Sequence, residues 1–198
     1  MSTRIGWAIV TALGWIVGTL VATFVMGTVG RAISGVAAGL VYLAVYGALI
    51  GLCVAVAQIA AKRTLPRSWI ARSVLGFAVG YVIVAFVGEL LGNVIDPSLP
   101  LLVGEGTIED LSGAALGIAI GLAQLPAIAG LTDRRRGWVI ATAIGAGLGY
   151  GSAAGLIEFV GGPVLKASVP ATFALILGLF VGVAQALVLR GSPLRSQS

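Results

Sequence analysis

Six apolar runs dominate this chain, and each is long enough to cross a bilayer. A hydrocarbon core about 30 Å thick needs about 20 helical residues, and runs of that kind lie at approximately 6–27, 35–61, 69–92, 112–131, 138–160 and 171–189. Charged side chains fall at their ends. With 59% hydrophobic and only 10% charged residues, the composition is far from that of soluble domains, where about 25% of residues are charged. The expected class is an all-α membrane protein with six transmembrane helices in a single integral membrane domain, 1–198.

The runs repeat. Trp7, Trp69 and Trp138 are each followed four residues later by a small hydroxyl (Thr11, Ser73, Thr142), and then by glycines at seven and eleven. About 50 residues after each Trp, a second frame recurs: Gly51, Ala55 and Gln58; Gly117, Gly121 and Gln124; Gly178, Gly182 and Gln185. Steps of 62 and 69 residues separate the tryptophans, and steps of 66 and 61 the glutamines. Self-similarity at such a period marks a repeated supersecondary unit. The units are helical hairpins at 1–66, 67–136 and 137–198, expected to pack around a pseudo-three-fold axis along the membrane normal.

The loops orient the chain. With both termini inside, the cytoplasmic side receives ten of the twelve basic residues, and only Arg31 and Lys166 lie outside. Six of the seven acids fall outside, leaving Asp133 within. This asymmetry follows the positive-inside rule and predicts a multi-pass protein of the cell (inner) membrane with cytoplasmic N- and C-termini. The net charge of +5 is therefore an orientation signal and not a nucleic-acid footprint, although basic loops can touch anionic lipid. The short N-terminal Arg4 segment is not expected to be a signal peptide, because its Trp and Gly frame matches internal helices.

Four sets of residues stand out. The first is Gly14 and Gly18, Gly76 and Gly80, Gly145 and Gly149: small residues four apart let helix backbones approach, so these are read as packing positions, with self-association as the other use. The second is Gln58, Gln124 and Gln185. Primary amides in hydrocarbon must find partners, and this candidate polar ring is either interhelical glue or a constriction selecting a polar solute or ion. The third is Glu89 and Glu158, each 20 residues after its Trp, near the outer boundary; they are either hydrated, paired with Arg31 or Lys166, or a proton or cation site. The fourth is Trp7, Trp69 and Trp138, expected as interface anchors with the indole N–H in water.

Two segments carry boundary signals. Asn93–Ser112, with Pro97 and Pro100, is the longest expected loop and the candidate outer contact; within it Thr107–Asp110 has the pattern of a capping box for span four. Ser168 and Pro170 are expected to open span six, and Pro126 to bend span four.

Catalytic groups are not apparent. The chain has no histidine and one cysteine, Cys53, which removes the commonest metal and haem ligand and the usual base for a Ser or Cys nucleophile. No cofactor, metal or catalytic site is expected, and no disulfide. The expected partners are the lipid bilayer and either further copies of the chain or a larger membrane complex, with no nucleic acid.

The Trp helices with glycine spacing and the Gly-x3-Gly/Ala-x2-Gln helices resemble a group of uncharacterised bacterial six-helix membrane proteins built from three such hairpins. In those the Gln is typically followed by Trp, Leu and Arg, whereas here Ile59, Leu125 and Ala186 follow it. The resemblance brings no activity with it. In size, helix number and the pair Ala8 and Ala12, the chain is also similar to substrate-binding subunits of energy-coupling-factor transporters. The implied function is a non-enzymatic structural or interaction subunit of a membrane assembly; the alternative is a small solute or ion transporter or channel subunit.

Overall fold

The structure is a computed structural model that describes residues 3–29, 36–93, 105–128, 132, 134–160 and 163–189. Its six helices are α1 (Thr3–Val29), α2 (Val36–Ala61), α3 (Ser68–Gly92), α4 (Glu105–Ile128), α5 (Arg135–Val160) and α6 (Pro163–Val188). All six are long and apolar enough to cross a membrane. At 24 to 27 residues each, they run to about 36–40 Å at 1.5 Å per residue, longer than the hydrocarbon core. The sequence of α2 mixes helix-favouring Ala and Leu with β-branched Val and Ile and three glycines, which lower helix propensity in water. In lipid, a helix is the one segment-local way to satisfy every backbone N–H and C=O, and that requirement overrides propensity.

Each helix packs against its neighbours in sequence, and α6 closes the ring onto α1. Exposure is inverted relative to a soluble protein. Leu13, Phe24, Leu75, Leu90, Ile140 and Leu187 face outward, while Thr11, Gln58, Ser73, Gln124, Thr142 and Gln185 are buried. An apolar exterior around a partly polar interior suits a chain solvated by acyl chains.

Glycine sets the helix spacing. A Cβ built on Gly14 would lie 2.7 Å from the Val54 Cα, and on Gly18 2.7 Å from the Ile50 Cα. The α3–α4 seam has Gly76 2.9 Å from the Ile120 Cα and Gly80 2.6 Å from the Leu116 Cδ1; the α5–α6 seam has Gly145 2.9 Å from the Val181 Cα and Gly149 3.0 Å from the Leu177 Cα. Gly47 and Gly51 play the same part against Phe77 and Ser73, Gly113 and Gly117 against Ala146 and Thr142, and Gly178 and Gly182 against Ala12 and Ala8. Real Cβ atoms essentially never come within 3.0 Å of another heavy atom, so at the positions set against backbone, such as Gly14, Gly18, Gly76, Gly117 and Gly145, the helices could not meet this closely with a Cβ in place. At Gly149 the fit is tight, and at Gly80 the short contact is with a Leu116 methyl that can move. Dispersion between the touching helices then holds the bundle, since lipid supplies no hydrophobic drive.

Two helix starts differ from expectation. Helix α4 begins at Glu105, so Thr107–Asp110 lies inside its first turns and not at a cap. Helix α6 begins at Pro163 and contains Pro170. The apolar runs stop at the charges Glu109, Asp110 and Lys166, but a charge does not end a helix, and the backbone continues through all three positions. Pro163 suits a first turn, where its missing N–H has no intrahelical partner to lose, and interior Pro is tolerated in spanning helices. Pro126 does lie inside α4. Residues 94–104, with Pro97 and Pro100, fall outside the described residues.

Candidate functional site

The tryptophan N–H groups, expected in water, are buried instead. Trp7, Trp69 and Trp138 are 4%, 0% and 0% exposed and meet one another at one end of the bundle. Their ring centroids are 6.4, 6.3 and 5.9 Å apart and their planes cross at 68°, 69° and 70°. Each ring thus presents an edge to one neighbour and a face to another, the favoured electrostatic geometry, with about 0.5–1.5 kcal/mol per pair beyond burial. Leu65, from the turn between α2 and α3, packs in the same cluster with Ala127, Ile128 and Ala186.

Burial leaves three indole N–H groups that need acceptors, and the glutamines supply them. Trp69 Nε1 donates to Gln58 Oε1 at 3.0 Å, Trp138 Nε1 to Gln124 Oε1 at 3.1 Å and Trp7 Nε1 to Gln185 Oε1 at 3.3 Å. The amide nitrogens turn the other way. Gln58 Nε2 donates to Thr11 Oγ1 at 3.1 Å, Gln124 Nε2 to Ser73 Oγ at 2.9 Å and Gln185 Nε2 to Thr142 Oγ1 at 3.2 Å. Because indole can only donate, the oxygen of each amide must face the Trp, which fixes all three amide orientations. Thr142 in turn donates its hydroxyl to the Trp138 carbonyl at 2.8 Å. Gln58 Nε2 also lies 3.5 Å from Gln185 Oε1, at the outer limit of a hydrogen bond.

Each amide therefore ties three helices. Gln58 on α2 bonds α1 and α3, Gln124 on α4 bonds α3 and α5, and Gln185 on α6 bonds α5 and α1. The residues expected as a polar ring are brought into one buried network whose acceptors are engaged by protein donors. Every member is neutral near pH 7, so it neither stores a charge nor presents a poised base.

Beyond this network, toward the other end, the interior is apolar. Trp15 and Phe77 pack with centroids 4.9 Å apart, amid Ile50, Val54, Leu116, Ile120, Leu177 and Val181. Two buried polar atoms have no partner among the described residues: Trp15 Nε1 and Ser112 Oγ. Past Trp15 come aromatic hydroxyls: Tyr46 contacts Tyr81 at 5.5 Å and shares a hydrogen bond of 3.3 Å with Thr23, and Tyr150 packs on Phe173 at 4.8 Å. Reasoning from sequence missed Trp15 and this tyrosine layer. The signal was present in the frame, since Trp15, Phe77 and Ala146 each follow a network Trp by eight residues, about 80° around the helix and within one broad inward stripe.

Glu89 does not join the network. It is exposed near the end of α3; the side chain of Glu158, with those of Arg31 and Lys166, lies outside the described residues, as does their expected pairing. Among the described residues no group of three or more His, Cys, Asp or Glu side chains is placed to hold a metal. No protein-family model matches the chain, and neither a curated protein nor a solved structure matches it.

Proposed function

We propose that this chain is a non-catalytic membrane scaffold: three hairpin repeats around a pseudo-three-fold axis, locked at one end by the Trp–Gln–hydroxyl network, with an apolar exterior available to lipid, to further copies or to other subunits. The observation that carries this reading is the engagement of both ends of each glutamine amide by protein partners. A side chain that selects a permeating solute must exchange its hydrogen bonds with that solute, whereas each amide oxygen here is held by a buried indole N–H. Three edge-to-face indoles beneath them, and the Trp15–Phe77 layer above, occupy the interior along which a path would have to run. The reading places the basic end in the cytoplasm of a bacterial inner membrane, following the charge asymmetry.

The test is flux in proteoliposomes. Ion-sensitive dyes and light scattering with neutral solutes should give rates no higher than in protein-free vesicles. Saturable uptake of any solute by the wild-type protein, lost in Gln58→Leu/Gln124→Leu/Gln185→Leu, would overturn the scaffold reading in favour of a transporter.

A further inference from the structure

Beyond the Trp15–Phe77 packing, all six helices contribute to one further layer. Thr19, Tyr81 and Tyr150 each follow a network Trp by twelve residues, and Tyr46, Ser112 and Phe173 each precede a network Gln by twelve. Each helix thus places one residue about 18 Å from the network, at 1.5 Å per residue. Burial and contact bring these residues inward. Thr19 and Ser112 are buried, while Tyr46, Tyr81, Tyr150 and Phe173 pack on the core around Trp15. Tyr46 on α2 and Tyr150 on α5 interact electrostatically, and each does so with Tyr81, although α2 and α5 are not neighbours in the ring. The three tyrosines therefore border one interior space across the bundle, floored by Trp15 and Phe77.

One side of that space is under-filled. Ser112 stands where the other two repeats have Tyr46 and Phe173, so the volume of a ring is missing there. Its hydroxyl is on a residue 3% exposed and has no partner among the described residues. Opposite, a Cβ built on Gly88 would meet nothing but that hydroxyl, at 3.8 Å. The surrounding groups mostly attract positive charge. Tyrosine faces present the negative side of the ring quadrupole, and hydroxyl oxygens accept hydrogen bonds. Glu109 acts electrostatically on Tyr150, and the Asp110 carboxylate lies where a side chain on Gly151 would begin. With Glu89, the charged side chains described at this end are all acidic.

We propose that this layer binds one small organic ammonium ion, its nitrogen among the faces of Tyr46, Tyr81 and Tyr150 and bonded to the Ser112 hydroxyl, in the field of Glu109 and Asp110. Aromatic faces are an established means of holding such cations. The site is blind, because Trp15 and Phe77 close it toward the network. It rests on this packing and not on the scaffold reading: flux tests that reading, and binding tests this one.

The experiment compares propylammonium, propanol and propionate, which share a chain and differ in charge. Ser112→Cys in a Cys53→Ala background is alkylated by N-ethylmaleimide in maltoside micelles, and each solute is titrated against the rate. Propylammonium should protect the thiol at concentrations about 5–30-fold lower than propanol, the equivalent of about 1–2 kcal/mol of cation–π attraction. Tyr150→Leu should remove most of that preference, whereas Tyr150→Phe, which keeps the ring face, should retain it. Equal protection by the three solutes overturns the proposal. So does stronger protection by propanol or propionate, the signature of a ligand held by the unpartnered Trp15 N–H, and so does a thiol that reacts only after unfolding in SDS. Adding phosphatidylethanolamine or phosphatidylglycerol to the micelles separates two sources of ammonium: protection by the former lipid alone assigns the site to its headgroup, and protection by propylammonium alone assigns it to a free solute. Calorimetric titration of the wild type with the same three solutes needs no variant, and binding without preference for propylammonium overturns the proposal there too.

Discussion

A double-mutant cycle on Gln124 and Trp138 measures what the network contributes. Gln124→Leu leaves the Trp138 N–H, on a residue that is 0% exposed, with no acceptor. The Ser73 hydroxyl can turn to the carbonyl four residues back, as Thr142 does onto the Trp138 carbonyl at 2.8 Å, so one orphan remains. An orphaned buried donor costs about 1–3 kcal/mol. Trp138→Phe creates the converse orphan on Gln124 Oε1 and also weakens two ring contacts. The double variant has neither orphan, and its cost should fall short of the sum of the single costs. Interhelical hydrogen bonds in membrane proteins average about 0.6 kcal/mol in such cycles and reach about 1.7; the full burial of both partners argues for the upper part of that range, a coupling of about 1–1.7 kcal/mol. Reversible unfolding in mixed detergent–SDS micelles, followed by far-UV circular dichroism, gives the four stabilities. Gln124→Leu paired with Trp69→Phe is the control, since Trp69 bonds Gln58 instead, and should couple by less than about 0.5 kcal/mol. Additivity of the Gln124–Trp138 pair to within about 0.3–0.5 kcal/mol would refute the view that these amides are structural links.

The two kinds of buried tryptophan should differ in what loss of the N–H costs. Trp69→Phe should destabilise by about 1–3 kcal/mol, while Trp15→Phe, which removes an unpartnered donor and keeps a ring against Phe77, should cost less than about 0.5 kcal/mol by the same accounting; detergent melting curves compare them. Gly76→Leu should lower the melting temperature more than Gln124→Leu does, because its Cβ already lies 2.9 Å from the Ile120 Cα; Gly27→Ala, with nothing within 4 Å, should be neutral or stabilise by up to about 1 kcal/mol. For topology, single cysteines in a Cys53→Ala background should be labelled from outside at position 105 and protected at position 135, and the reverse pattern would overturn the assigned orientation.

Much of this architecture could be read from periodicity alone, because lipid permits so few spanning structures. Runs near 35–61 and 69–92 became helices Val36–Ala61 and Ser68–Gly92 since apolar length is the whole requirement. The starts of α4 and α6 were not legible: Glu105 and Pro163 stand beside glycines, and charges separate them from the apolar runs, a pattern that ends a hydropathy run without ending a helix. The burial of the tryptophan N–H groups was not legible for a related reason. Position at the end of a span is compatible with an interface anchor, and only the partner decides between a wet and a buried N–H. That partner was visible as three glutamines in a common frame, but the pairing crosses hairpins: Gln58 serves Trp69, not Trp7, a register that depends on the order of helices around the ring. Trp15 was obscured because its counterparts Phe77 and Ala146 differ in size, so a shared packing layer does not look like a repeat.

The cross-hairpin pairing bears on cooperativity. If each glutamine bonded only within its own hairpin, any one hairpin could satisfy its own polar groups and the other two would be dispensable. Instead the bonds pass the requirement around the ring. The Trp7 N–H on α1 depends on Gln185 on α6, and the Gln124 oxygen on α4 depends on Trp138 on α5. A fragment lacking α5 and α6 would leave the Trp7 N–H and the Gln124 oxygen unpaired in hydrocarbon. It would also expose the α1 and α4 surfaces that the Gly182–Ala8 and Gly117–Thr142 approaches cover. An unsatisfied polar group in lipid is costly without water to take over its bond, so partial bundles are disfavoured beyond their loss of packing. Closure of the ring is then the event that satisfies the last donor and the last acceptor together. The three amides contribute less by their individual strength than by making six helices close as a single unit.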